Sequence, residues 1–267
     1  MAAGNGDPRR ESSPGNKHQA SRRSLASRRS LALDAIRGGL VILMILYHAA
    51  YLAVMTGLVH FELFEGFWWV FPRTIAASFI AVSGWSLAAK KARGGIFKAF
   101  LARAGRLAIP ALAITMISTL MFRQSFVFFG ILHLLAVSSI LAWPFLGRPA
   151  LALATAVAVL GAGLALGGQR FEWPYLAWLG FRPAGLYPVD YLPLLPWFAW
   201  CLLGTAARDL TFCLAPWQNM DSSSAPQGQT TFLKPLAWAG RHSLGIYLVH
   251  LPALYGLASL LALLTQS

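Results

Sequence analysis

Residues 31–59 read LALDAIRGGLVILMILYHAAYLAVMTGLV. An apolar run of this length exceeds the roughly 20 helical residues that cross a bilayer core. It is also too long for the apolar region of a cleaved leader, and no small-residue cleavage site leads from it into a soluble domain. It reads as a retained first span, crossing at about 34–57. Six further runs of similar character follow, at about 67–89, 104–122, 126–146, 149–167, 191–207 and 242–263. Spans four and five meet at a very tight turn, because Pro144 and Pro149 flank it. The expected fold is an all-α, polytopic membrane helix bundle of about seven transmembrane helices.

Composition agrees with that reading. Hydrophobic residues make up 57% of the 267 and charged residues 12%, against roughly a quarter charged in a typical soluble domain. The apolar residues fall in runs rather than in alternation. Residues 1–30 are rich in Ser, Arg, Gly, Asn and Pro, and such a composition cannot bury a core, so a disordered basic tail is expected there. Residues 31–267 then form one transmembrane domain, with an interfacial, aromatic-rich joint from Gly168 to Asp190 and a flexible connection over 211–235. Cys201 and Cys213 are the two cysteines and show neither a disulfide framework nor metal-site spacing. No metal is expected.

The net charge of +13 could suggest nucleic acid, but its distribution argues against it. Seven of the 22 Lys and Arg lie in residues 1–33, and six more lie between Lys90 and Arg106, all beside apolar runs. That is the pattern of a topology signal and of attraction to anionic lipid. With the N-terminus in the cytoplasm, 18 of the 22 fall on the cytoplasmic side. Only Arg73, Arg123, Arg170 and Arg182 fall on the other. The tail is therefore expected inside and the C-terminus outside.

Ionisable groups inside a bilayer cost about 2.5–3.5 kcal/mol at a helix centre, so each one there needs a reason. Asp34 and Arg37 are three residues apart and can pair on one helix face. Asp34 reads as lying at a helix N-terminus, where a carboxylate is favoured. Gly38 follows them. His48 stands roughly 16 Å deeper than Arg37 at 1.5 Å per residue. His133 and His250 fall within the fourth and last spans. Three histidines on three helices could converge on one cavity, and imidazole suits acid–base chemistry near neutral pH. Each could equally hydrogen-bond a neighbouring helix.

Ser83, Gly84 and Ser86 fall near the cytoplasmic end of the second span, where Gly84 permits close approach by a helix or a ligand. Pro193, Pro196 and Trp197 open the sixth span. Pro196 must distort backbone that only protein or a wetted cavity can receive. Asp190 beside them is one of nine acidic residues. It is a candidate for binding substrate or orienting a histidine.

Several of these stretches together resemble one family. They are Asp34-Ala35-Ile36-Arg37-Gly38 with Met44 and His48, Ser83-Gly84-Trp85-Ser86-Leu87, and Phe129-Gly130-Ile131-Leu132-His133. Asp190 to Trp197 with Gly204, and Gly240-Arg241-His242-Ser243-Leu244-Gly245-Ile246-Tyr247-Leu248-Val249-His250, complete the set. In that order, from about Leu33 to Leu260, the chain resembles the heparan-α-glucosaminide N-acetyltransferase catalytic-domain family in its short bacterial form. The resemblance implies transfer of an acetyl group from acetyl-CoA to an amino sugar or other envelope acceptor, and kinship with multispan membrane acyltransferases. A lysosomal member has its proposed active histidine in the loop after the first span, and His60 is the nearest positional match. His48 belongs to the bacterial pattern.

On this reading Arg37, Arg103, Arg106 and Arg241 gather at the cytoplasmic rim to hold CoA phosphates. Ser83, Gly84 and Ser86 face the pantetheine arm. His48, His133 or His250 acts on the acceptor or is acylated transiently, and Asp190 and His60 meet the acceptor from outside. The competing reading is a proton-coupled transporter or channel for a small anionic solute, supported by the broken sixth span and the buried histidines. The absence of an internal repeat tells against it.

Overall fold

The computed structural model describes residues 14–63, 65–121, 126–172, 174–184, 190–214 and 229–265. Among them are eight α-helices and no named strand: α1 Pro14–Met55, α2 Gly66–Ala92, α3 Phe97–Met121, α4 Ile131–Leu141, α5 Pro149–Leu166, α6 Leu194–Leu214, α7 Gln229–Arg241 and α8 Ser243–Thr265. Five are long and apolar enough to cross a membrane: Leu31–Met55 of α1, α2, α3, α5 and Ser243–Leu260 of α8. The fourth expected span contains only the short helix α4, extended by a 3-10 turn at Trp143–Phe145. In the sixth, Leu195 leaves helical geometry (φ −93°, ψ 123°) and the Leu195–Pro196 peptide is cis.

Other boundaries also differ from the sequence reading. α1 begins at Pro14, so Asp34 lies well inside a helix and not at its start. The Ala-, Arg- and Leu-bearing stretch before it has adequate helix propensity. The expected tail is thus helical from Pro14 on, and residues 1–13 lie outside the described residues. The joint expected over Lys90–Arg103 is only the turn at Arg93–Ile96, with Gly94 at φ +84°. Lys98, Arg103 and Arg106 are helical residues of α3, which their straight side chains permit. Within the expected 211–235 connection, residues 229–235 belong to α7, and 215–228 lie outside the described residues.

The chain divides into two compact units, Met1–Gly39 with Asn219–Ser243, and Leu40–Gln218 with Leu244–Ser267. In the first, α1 and α7 meet backbone to backbone. A side chain on Gly38 would collide with the Leu236 carbonyl, and one on Gly240 with the Asp34 carbonyl. Asp34 and Arg37 form the expected ion pair at 2.8 Å.

The second unit holds the core. A side chain on Gly84 would strike the Cys201 carbonyl, and one on Gly204 the Ala81 carbonyl. Toward the start of both helices, Arg73 and Thr74 line one cavity together with Trp197 and Trp200. Contacts that advance together in this way mean that α2 and α6 run parallel. α5 runs opposite to α6, Gly163 near its end abutting Pro196 near the start of α6. α4 runs opposite to α3, with His133 beside Thr115 at one end and Ser139 beside Arg103 at the other. Short as it is, α4 therefore travels back along most of α3. At the α4–α5 turn, Gly147 takes φ +82°. Its N–H donates to buried Asp209, which also pairs with Arg208 at 2.9 Å.

Candidate active site

At the end of the second unit remote from Arg103, aromatic and imidazole rings from three helices assemble. Val41 and Met44 of α1 and Ile75 of α2 form a buried apolar nucleus, against which Tyr47, Phe71, Phe79, Ile246 and Tyr247 pack. This nucleus brings two of the three expected histidines together. The rings of His48 and His250 meet edge to face, centroids 4.9 Å apart. Tyr47 flanks His48 at 5.4 Å and Tyr247 flanks His250 at 5.5 Å.

Backbone carbonyls decide how each imidazole presents itself. His48 Nδ1 lies 2.9 Å from the Met44 carbonyl, and His250 Nδ1 lies 2.6 Å from that of Tyr247. A carbonyl can only accept, so both Nδ1 atoms carry the proton. In the neutral ring each Nε2 is then the lone pair. His250 is only 6% exposed, and its Nε2 is buried with no partner. A buried acceptor without a donor is costly, and here it stands beside a second imidazole in the same tautomer. Two fixed bases share one place. Among the described residues no third His, Cys, Asp or Glu joins them to make a metal-holding group.

His133 is placed differently. Its Nε2 lies 3.3 Å from Thr115 Oγ1, whose own proton goes to the Val127 carbonyl at 2.8 Å. The imidazole is therefore the donor. Its ring lies tilted against Phe129, centroids 5.5 Å apart. Phe129 in turn pairs with Tyr191 and accepts the Leu192 N–H at 2.8 Å. His133 thus braces the segment that holds Asp190, and makes no described contact with the paired histidines.

The Asp190 carboxylate accepts the Ile131 N–H at the start of α4, and its burial raises its pKa to about 6. A side chain on Gly130 would collide with that carboxylate, which is why glycine stands there. Asp190 is also within electrostatic reach of the Tyr247 hydroxyl. A line of groups therefore leads from Asp190 through Tyr247 and His250 to His48. The tyrosines at positions 47 and 247 were missed from sequence, although Tyr47 is next to His48 in the chain and Tyr247 stands three residues before His250, on the same helix face. His60 is exposed on the α1–α2 joint, outside every described hydrogen bond and ring contact.

The residues expected to meet the pantetheine arm lie in a helix crossing. Gly84 faces the backbone of α6. Ser86 Oγ donates to its own helix at Val82. Ser83 Oγ accepts from Arg103 at 2.9 Å, and Arg103 also donates to Ser139 at 3.2 Å. Arg106 is exposed one turn further along α3. Around the adjoining turn, Lys90 Nζ donates to the Ala99 carbonyl at 2.8 Å and Lys91 Nζ sits 3.6 Å over the Trp143 ring. Pro193 is buried, and Trp197 is partly buried on α6. Arg37 is half-buried and Arg241 exposed, both in the first unit.

A family model described as "Heparan-alpha-glucosaminide N-acetyltransferase, catalytic" matches residues 29–252. That range takes in both paired histidines, Asp190 and the basic turn. No curated protein and no solved structure matches the chain.

Proposed function

Because the chain belongs to the heparan-alpha-glucosaminide N-acetyltransferase catalytic family, and so is a membrane acetyltransferase, we propose that it moves an acetyl group from acetyl-CoA to an amino sugar or similar envelope acceptor. The observation that carries this reading is the His48–His250 pair, with both Nε2 atoms held as acceptors in a buried, ring-walled place. A general base needs a lone pair fixed within reach of the proton it removes. In the proposed step, the acceptor amine or hydroxyl loses its proton to Nε2 as it attacks the thioester carbonyl. The carbon–sulfur bond breaks, and the CoA sulfur leaves and takes up the proton. Tyr47 and Tyr247 shape the pocket wall. Asp190, acting through Tyr247, orients His250.

The donor is proposed to dock its phosphates on the α2–α3 turn, where Lys90, Lys91, Arg93, Lys98, Arg103 and Arg106 concentrate positive charge. Ser83 lies twelve residues along α2 from Phe71, roughly 18 Å at 1.5 Å per residue. A long pantetheine arm is suited to that separation, with phosphates at one end and thioester at the rings. The proposed topology keeps the N-terminus and this turn in the cytoplasm, in a bacterial inner membrane. It counts seven crossings, because α4 returns along α3 and α6 runs parallel to α2.

The test is release of free CoA thiol by purified protein in nanodiscs, given acetyl-CoA and a panel of amino sugars. His48→Ala and His250→Ala should each lower turnover by about 100-fold or more. Full turnover in both variants would overturn the proposal.

A further inference from the structure

Where α2 and α6 diverge from their glycine crossing, they leave a groove of about 290 Å³. Arg73, Ser78 and Ala81 line one wall, and Trp197 and Trp200 the other. Arg73 is the eighth residue of α2, roughly 10 Å along a candidate membrane span, yet its side chain is exposed. Among the described residues no carboxylate pairs with it. Its guanidinium donates to the Trp69 carbonyl at 2.5 Å and lies 3.9 Å from the centre of the Trp69 ring. Those contacts hold the head in place but bring no negative charge, and they leave most of its five N–H donors unused. Trp200 is 38% exposed, and Arg73 and Thr74 across from it are exposed too, so the groove opens sideways from the helices.

A cation at this depth needs an anion that the bilayer itself can supply. Free aqueous anions are poorly matched to a groove whose lining beyond Arg73 is alanine and tryptophan with the Ser78 hydroxyl and that of Thr74, which donates to its own helix at Val70. An anionic lipid is matched at both ends. We propose that the groove is a binding site for one anionic glycerophospholipid, its phosphate on Arg73 and the first carbons of an acyl chain between Trp197 and Trp200. Arginine is suited to this because its fork meets two phosphate oxygens at once. The site also has a way to influence the rings, since Arg73 is within electrostatic reach of Tyr47, which packs on His48. The inference requires only that the chain sits in a bilayer, and stands apart from the acetyl-transfer reading.

The experiment is native mass spectrometry of the full chain, delipidated in detergent and titrated with phosphatidylglycerol or phosphatidylcholine of identical acyl chains. One phosphatidylglycerol should stay bound at collision energies that strip phosphatidylcholine, with at least about fivefold preference. Arg73→Gln should abolish the preference, and Trp200→Ala should shorten retention of both lipids. Millimolar inorganic phosphate should not displace the lipid. Phosphatidylglycerol carrying brominated chains should quench less tryptophan fluorescence in Trp200→Phe than in the wild type, which reads proximity without depending on retention. Equal retention of the two lipids, an unchanged preference in a folded Arg73→Gln, or displacement by inorganic phosphate or by a lipid-linked sugar phosphate would each overturn the proposal.

Discussion

The hydrogen-bond partner of each ring separates two imidazoles whose lone pair sits on Nε2 from one whose Nε2 is the donor. His48 and His250 each spend Nδ1–H on the preceding helical turn, whereas His133 spends Nε2–H on Thr115. His133→Phe should therefore lower thermal stability while leaving turnover per folded molecule within a few-fold, measured on the size-exclusion-purified fraction. His48→Gln, which cannot serve as a base, should not be rescued at any pH. Asp190 provides a pH signature. Its carboxyl is neutral below about 6; in the proposed mechanism it acts through Tyr247 as the carboxylate, so turnover should fall as pH drops through that value. Asp190→Asn, whose amide oxygen can still accept the Ile131 N–H, should lose the inflection. The stability effect has the opposite sign. The folded state holds this proton more tightly than the unfolded chain, so stability declines as pH rises from about 3.8 to about 6. Above pH 6 Asp190→Asn should unfold at a higher temperature than the wild type. From sequence, His48, His250 and Asp190 stood out as candidates because lipid penalises stray polarity, but the tautomers depend on which carbonyl each ring meets. That information lies in rotamers, and no spacing rule carries it.

Helices read most clearly where polarity changes abruptly and least clearly where charge and helix propensity coexist. Arg103 looked like the end of a loop because it is charged, yet arginine is a good helix former and α3 passes through it. The Ser83-Gly84-Trp85-Ser86 motif suggested ligand or packing, and the backbone contact between α2 and α6 now gives Gly84 a packing role. Gly84→Val or Gly204→Val should force the two helices apart, with a loss of about 1–3 kcal/mol or more, typical of overpacking, read as a lowered melting temperature in detergent. Arg103→Ala should also destabilise, because Ser83 and Ser139 lose a shared donor. Arg106→Ala, on an exposed position, should instead raise the KM for acetyl-CoA with little change in melting temperature. The two arginines, equivalent on paper, are thus separable by experiment.

At the scale of the whole molecule, the run lengths and charge bias gave an all-helical membrane protein, and five of the expected crossings stand as long apolar helices. The other two expected stretches hold the short α4 and α6, which is interrupted at Leu195. Their directions come from pairing with α3 and α2, a relation that no local pattern encodes. The proposed topology makes a direct prediction. In a background with Cys201 and Cys213 replaced by Ser, Gly94→Cys should react with an impermeant maleimide only after permeabilisation, and Gln169→Cys should react in intact cells. Reversed accessibility would invert the assigned orientation. The glycine seam between α2 and α6 has a consequence for the choice of donor. Backbones in direct contact have no side-chain cushion to compress or slide, so the distance from the basic turn to the rings is a rigid gauge. A truncated thioester lacking the nucleotide has nothing to register against one end of that gauge. It should be a poor acetyl source even at saturating concentration, however reactive its carbonyl.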